Sequence, residues 1–108
     1  MAGTLSRGAV CLCQFPPPDK LRLVLILTRH SSIRNLSTVT VAPITSTIRD
    51  VASEVMLDVE DGMKTRCAVN LHNAITISQS RLGRRVAHLS ETRMEQVCAA
   101  LRFALGCG

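Results

Sequence analysis

The chain has 108 residues, enough for one hydrophobic core and too few for two, so a single domain spanning 1–108 is expected. Thirteen Lys and Arg against eight Asp and Glu give a formal charge of +5, and Lys20 and Lys64 are the only lysines. The longest apolar run, residues 23–27, is too short for a membrane helix, and the N-terminus lacks the basic-then-apolar pattern of a secretory signal, which sets the expectation of a cytoplasmic protein with no membrane contact.

In chain order, residues 8–13 (GAVCLC) predict a short strand, and Pro16, Pro17 and Pro18 make 15–21 a loop. Residues 22–28 (RLVLILT) form a continuous apolar strand opened by Arg22, and 29–35 a polar turn with one helical turn. Residues 37–44 alternate as a long strand in which Pro43 marks an edge or a bend. It runs into the polar cluster Thr45, Ser46, Thr47 and Arg49. Residues 54–57 predict a strand, 59–64 (VEDGMK) a Gly-containing turn, and 67–71 and 74–77 two more short strands. Residues 78–85 predict one or two helical turns ending near Gly83. The clearest helix follows, with Ser90 as N-cap and Glu91 in its first turn. Met94, Val97, Cys98, Leu101 and Leu105 form its apolar stripe, and Gly106 is its stop. Five or six strands and a terminal helix imply a mainly β domain, either a compact barrel or a strongly curved sheet with the helix packed across it.

An Arg-rich surface suits a polyanion such as RNA or an acidic protein, but the same composition follows from a GC-rich genome. With no Trp or Tyr, and Phe only at 15 and 103, an aromatic platform for stacking bases is not expected. Arg, hydroxyls and backbone groups would have to do that work. The five cysteines do not read as a metal site. Cys11 and Cys13 point the same way along a strand, Cys67, Cys98 and Cys107 are scattered, and neither a C-x-x-C pair nor a His at zinc-ligand spacing follows. They read as reduced, partly buried thiols, and no cofactor is expected. His30, His72 and His88 have no paired carboxylate in sequence. Arg22 and the 45–49 cluster sit where two strands end. A guanidinium fork and hydroxyls brought together there would make a phosphate site, and solvated strand ends explain the same residues.

The ordered motifs carry a resemblance. Arg7-Gly8 with Val10, R-x-V-L-I-L-T (22–28), V-A-P-I-T-S-T-I-R (41–49), E-D-G-M (60–63), S-R-L-G-R-R-V (80–86) with Leu89-Ser90, and A-L-R-x-A-L-G (100–106) occur in family order over most of the chain. Together they resemble the MazF/PemK family of toxin–antitoxin ribonucleases. The resemblance implies an SH3-like β-barrel with a C-terminal α-helix, acting as a homodimer. It also implies a metal-independent, sequence-selective endoribonuclease whose substrate is single-stranded RNA. A cognate antitoxin would inhibit it by laying a flexible acidic segment across the basic groove. The family's catalytic Arg and Thr match Arg22 and Thr45, while Ser46, Thr47, Arg49, Arg84 and Arg85 are candidates for RNA contact.

Three positions depart from the family pattern. Leu23 replaces the Pro that usually follows the catalytic Arg, the loop at 14–21 is short and Pro-rich, and His72 stands where relatives often carry Asp. Two other functions are compatible with the general fold. A gyrase poison of the CcdB type acts through a C-terminal Trp, which this chain lacks. A barrel that binds RNA or protein without cutting is the other.

Overall fold

The computed structural model describes residues 5–18 and 20–107. Asp19 of the Pro-rich loop and the two ends of the expected 1–108 domain lie outside the described residues. The described residues form β1 (Ala9–Gln14), β2 (Leu21–Ile26), α1 (His30–Ile33), β3 (Thr38–Thr45), β4 (Glu54–Leu57), β5 (Cys67–Asn70), β6 (Ile75–Ser78), β7 (Leu82–His88) and α2 (Glu91–Leu105). Among them the seven strands make one antiparallel sheet ordered β4-β5-β3-β2-β1-β7, with β6 paired to β3 off that path. The pairing does not return from β7 to β4, so the ladder among the described residues is open.

Alternation along the central strands explains the apolar run that the sequence displays. Leu25 and Leu27 face one cluster with Val10, Leu57, Val97 and Ala100, and Leu23 packs against it. Val24 and Ile26 face a second cluster with Ala9, Cys11, Cys13, Val39, Val41 and Ile33. A strand buried on both faces has no polar side, and each fully buried aliphatic side chain contributes about 1.5–3 kcal/mol. Cys11 and Cys13 fall on one face as the two-residue spacing requires.

β3 is not an edge strand. Residues 38–41 pair with β6 and residues 44–45 with β5, while Val41, Ala42 and Pro43 pair with β2 on the other side. Pro43 therefore stands where β3 leaves one neighbour and takes up another, a place that tolerates a missing N–H.

Residues 78–85 differ from the expected helical turns. A single 3₁₀ turn, Gln79–Arg81, is followed by strand β7. β7 pairs with β1 through two register shifts, and the resulting irregular burial hides the strand period in LGRRVAH. The sheet thus has one strand more than the upper count read from sequence.

α2 begins and ends as its sequence predicts. Ser90 Oγ accepts the Arg93 N–H at 3.2 Å, and Gly106 caps the C-terminus with φ +71°. Val97 and Ala100 are buried beneath it, with Met94, Leu101 and Ala104 packed alongside, whereas Leu105 of the expected stripe is 66% exposed. The Arg7 guanidinium donates to the Leu27 carbonyl and reaches Cys98 Sγ at 3.1 Å, tying the N-terminal segment to α2.

Candidate functional site

Arg22 enters at the start of β2 and Thr45 leaves at the end of β3. The β2–β3 register pairs Val24 with Pro43, Leu25 with Ala42 and Ile26 with Val41. Continued by two residues, the same register sets Arg22 opposite Thr45. Opposed residues of an antiparallel pair project to the same face. Both line a cavity of about 650 Å3 at this end of the sheet, as do Ser46, Lys64, Thr65 and Arg84. Leu12, Leu21, Leu23, Ile44, Met63 and Val86 give it apolar walls.

The charged side chains among the described residues lining the cavity are of one sign. Among the described residues that line it, Arg22, Lys64 and Arg84 are cations, and there is no Asp, Glu or His. Apolar walls lower the local dielectric, so the field of these charges is stronger than it would be in open water. The Cys67 thiol that also lines the cavity is pushed up by burial and further by the Asp61 and Asp58 charges, so it stays protonated at neutral pH and is no nucleophile. Burial likewise pushes up Cys11 and Cys13, against the smaller opposing effects of Arg85 on Cys11 and Arg81 on Cys13. No group of three or more His, Cys, Asp or Glu able to hold a metal ion is found among the described residues.

Thr45 is half-buried and locally fixed. Its Oγ1 accepts the Thr47 backbone N–H at 3.0 Å. With that lone pair engaged, the hydroxyl proton is left to donate outward. The other candidates divide. Ser46 and Arg84 line the cavity with Arg22 and Thr45; Thr47, Arg49 and Arg85 do not. Arg84 and Arg85 separate because consecutive strand residues face opposite sides, and Arg85 lies across from Cys11 instead. Thr47 and Arg49 take part through their backbone amides, to Thr45 Oγ1 and Glu54 Oε1.

Lys64 and Thr65 were not singled out in the sequence. They follow the 3₁₀ turn Val59–Asp61, and only the fold swings that loop against β2 and β3. The one local hint was Gly62, with φ +92°, where a Cβ would lie 3.0 Å from Ala87 Cβ on β7. His72 is outside the cavity, its Nδ1 hydrogen-bonded to Ser53 Oγ at 2.6 Å. His88 and His30 are also absent from the lining.

Comparison with known proteins gives concordant results. The profile of the family described as PemK-like, MazF-like toxin of type II toxin–antitoxin system matches residues 6–105. The chain is 37% identical over 108 residues to the probable endoribonuclease MazF5 of Mycobacterium tuberculosis, covering 99% of this chain and 98% of that protein. Among solved structures, the Mycobacterium tuberculosis toxin MazF-mt6 superposes with a TM-score of 0.84 at 36% identity, covering 91% of this chain and 96% of the other. An endoribonuclease in complex with its cognate antitoxin, from a mycobacterial species, shares the fold with a TM-score of 0.85 at 24% identity, over 96% of this chain and 97% of that one.

Proposed function

The chain belongs to the PemK-like, MazF-like toxin family of type II toxin–antitoxin systems, and we propose that it is a sequence-selective, metal-independent endoribonuclease acting on single-stranded RNA. The observation that carries this reading is the cavity: a guanidinium and a hydroxyl on opposed strand ends, with three cations and no carboxylate among the described residues that line it.

RNA brings its own nucleophile, so the protein has to orient the chain and stabilise charge. The 2′-hydroxyl attacks the adjacent phosphorus in line and gives up its proton to solvent, and the bond to the 5′-oxygen of the next nucleotide breaks as that oxygen takes up a proton from solvent, so the step is proton-neutral overall. The products are a 2′,3′-cyclic phosphate and a 5′-hydroxyl. Arg22 stabilises the negative charge that builds on the equatorial oxygens, a role suited to a permanently charged guanidinium that does not serve as a general base. Thr45, its acceptor site taken by Thr47 N–H, donates its proton to a non-bridging oxygen. Arg84 and Lys64 extend the positive field to neighbouring phosphates, and Ser46 and Thr65 add hydroxyls beside them. Thr47, Arg49 and Arg85, outside the cavity lining, fit contacts to RNA beyond it.

The apolar walls suit the exposed face of a nucleobase flanking the scissile bond, a service that the chain's few aromatics do not provide. A base stacked in a duplex has no free face to offer, which favours single-stranded substrate. The volume lies within the ~300–1,000 Å3 usual for small-molecule sites. The same reading includes one domain over the whole chain and a barrel-like closure of the curved sheet. It places the protein in the cytoplasm, as a homodimer held in check by an antitoxin whose flexible acidic segment competes for the cationic cavity.

Purified protein incubated with a long mixed-sequence RNA in excess EDTA, followed by mapping of the new ends, tests the proposal. Discrete cuts bearing 5′-hydroxyls are expected. Cutting that stops with EDTA, or 5′-phosphate ends, would contradict it.

A further inference from the structure

Glu54 opens β4 outside the cavity, yet it is tied to the loop that follows Thr45. Its Oε1 accepts the backbone N–H of Arg49 at 3.0 Å and that of Asp50 at 3.1 Å. Asp50 has φ +57°, a left-handed conformation that non-glycine residues seldom adopt. Two consecutive amides converging on one oxygen at such a residue form a nest, a backbone cradle for an anion. Here the anion is the chain's own carboxylate. The second oxygen, Oε2, is buried, as is Oδ1 of Asn70, the register partner of Glu54 across β4–β5. Neither has a hydrogen-bond partner among the described residues. The carboxylate is therefore turned inward and spends its hydrogen bonding on the loop.

That loop has little else to hold it. Ser46, Thr47, Arg49 and Asp50 are exposed, so packing contributes little to their placement. At its start Thr47 N–H is fixed on Thr45 Oγ1, and at its end the nest is fixed on Glu54. We propose that Glu54 is a positioning residue: its Oε1 clamps the 45–50 loop and so sets where the Thr45 and Ser46 hydroxyls meet the RNA phosphate. The proposal rests on the ribonuclease reading above. It makes reach decisive and charge secondary. Glutamine presents the same oxygen to both amides and adds an NH2 that can satisfy Asn70 Oδ1. Aspartate keeps the charge but draws the oxygen back by one methylene, about 1.5 Å.

The test compares Glu54→Gln and Glu54→Asp with the wild type. Readouts are single-turnover cleavage, KM, and hydrogen exchange of the Arg49 and Asp50 amides. Expected are a loss of about tenfold to a hundredfold in kcat for Glu54→Asp with KM nearly unchanged, and rates within about threefold of wild type for Glu54→Gln. Because the clamp acts through Thr45 together with Ser46, Glu54→Asp in a Thr45→Val background costs several-fold less than it does in the wild type. Amide exchange at 49 and 50 should accelerate in the Asp variant and stay slow in the Gln variant. A Gln variant as impaired as Asp, or an active Asp variant beside an inactive Gln one, would overturn the proposal, as would multiplying effects of the two substitutions. If the wild type does not cut RNA, the ribonuclease reading fails by itself. In that case the exchange data still decide the clamp, since exchange unchanged in Glu54→Asp removes it.

Discussion

Thr45 offers the smallest change with the clearest consequence. Valine keeps its shape and strand preference but deletes the hydroxyl, so a loss of at least about tenfold in kcat is expected from one missing transition-state hydrogen bond. An unchanged rate would leave Thr45 a purely structural strand end. Arg84 and Arg85 provide a paired contrast, being adjacent in sequence and on opposite faces of β7. Arg84→Ala should raise KM for RNA several-fold more than Arg85→Ala and should flatten the salt dependence of binding, because only Arg84 lines the cavity. Equal effects would mean that overall charge, not placement, governs binding. In the sequence these two arginines were indistinguishable; the strand that sorts them was itself hidden by Gly83, the arginine pair and a shifting register.

Elements hold the cavity in shape, and one contact between them makes a pH prediction. Asp61, in the 3₁₀ turn Val59–Asp61, accepts from Arg93 Nε of α2 at 2.9 Å and from the Asp58 N–H at 2.9 Å. The turn leads into Met63, Lys64 and Thr65, so this pair fixes one cavity wall to the helix. Burial alone would raise the Asp61 carboxyl; the hydrogen bonds from Arg93 and Asp58, with the Arg93 charge, outweigh it and hold the group below the ordinary carboxylate range. A carboxyl depressed in the folded state stabilises the fold above its unfolded pKa of about 3.9, and that stability is lost as pH falls through the folded value. Asp61→Asn should therefore cost about 1–2 kcal/mol near neutral pH, and the deficit should shrink in urea melts at about pH 2.5. A deficit independent of pH would contradict the ionic role. Strands β1 to β6 and α2 were legible from their apolar runs, their alternation and the helical stripe. The link between the 59–65 turn and the cavity was not, since it depends on a long-range ion pair that no local pattern encodes.

At the scale of the whole molecule, the apolar surface calls for a partner. Leu36, Ile75, Phe103 and Leu105 are exposed, and Leu36 and Leu105 line a common groove with Leu101 between the C-terminal end of α2 and the α1–β3 segment. The homodimer in the proposed function would cover such a surface, and Leu36→Glu or Leu105→Glu should shift sedimentation toward the monomer at micromolar concentration. Sedimentation identical to wild type in both variants would place any dimer contact elsewhere. Among the described residues no helix is long and apolar enough to cross a membrane. The ordered motifs indicated the family and the two cavity residues together, because Arg22 and Thr45 each sit in a recognisable strand. The apolar walls became visible only when the fold brought residues of β1, β2, β3 and β7 to one cavity, and the proposed Glu54 clamp only when the loop after β3 closed onto the start of β4. The most direct measurement is single-turnover cleavage, in excess EDTA, of an RNA carrying one mapped site, by the wild type and by Arg22→Ala shown to be folded by its thermal melt. Expected is a loss of at least about a hundredfold in Arg22→Ala, the usual cost of removing a donor aimed at developing charge. Equal rates in the two proteins would contradict the assignment of the cavity as the site of cleavage.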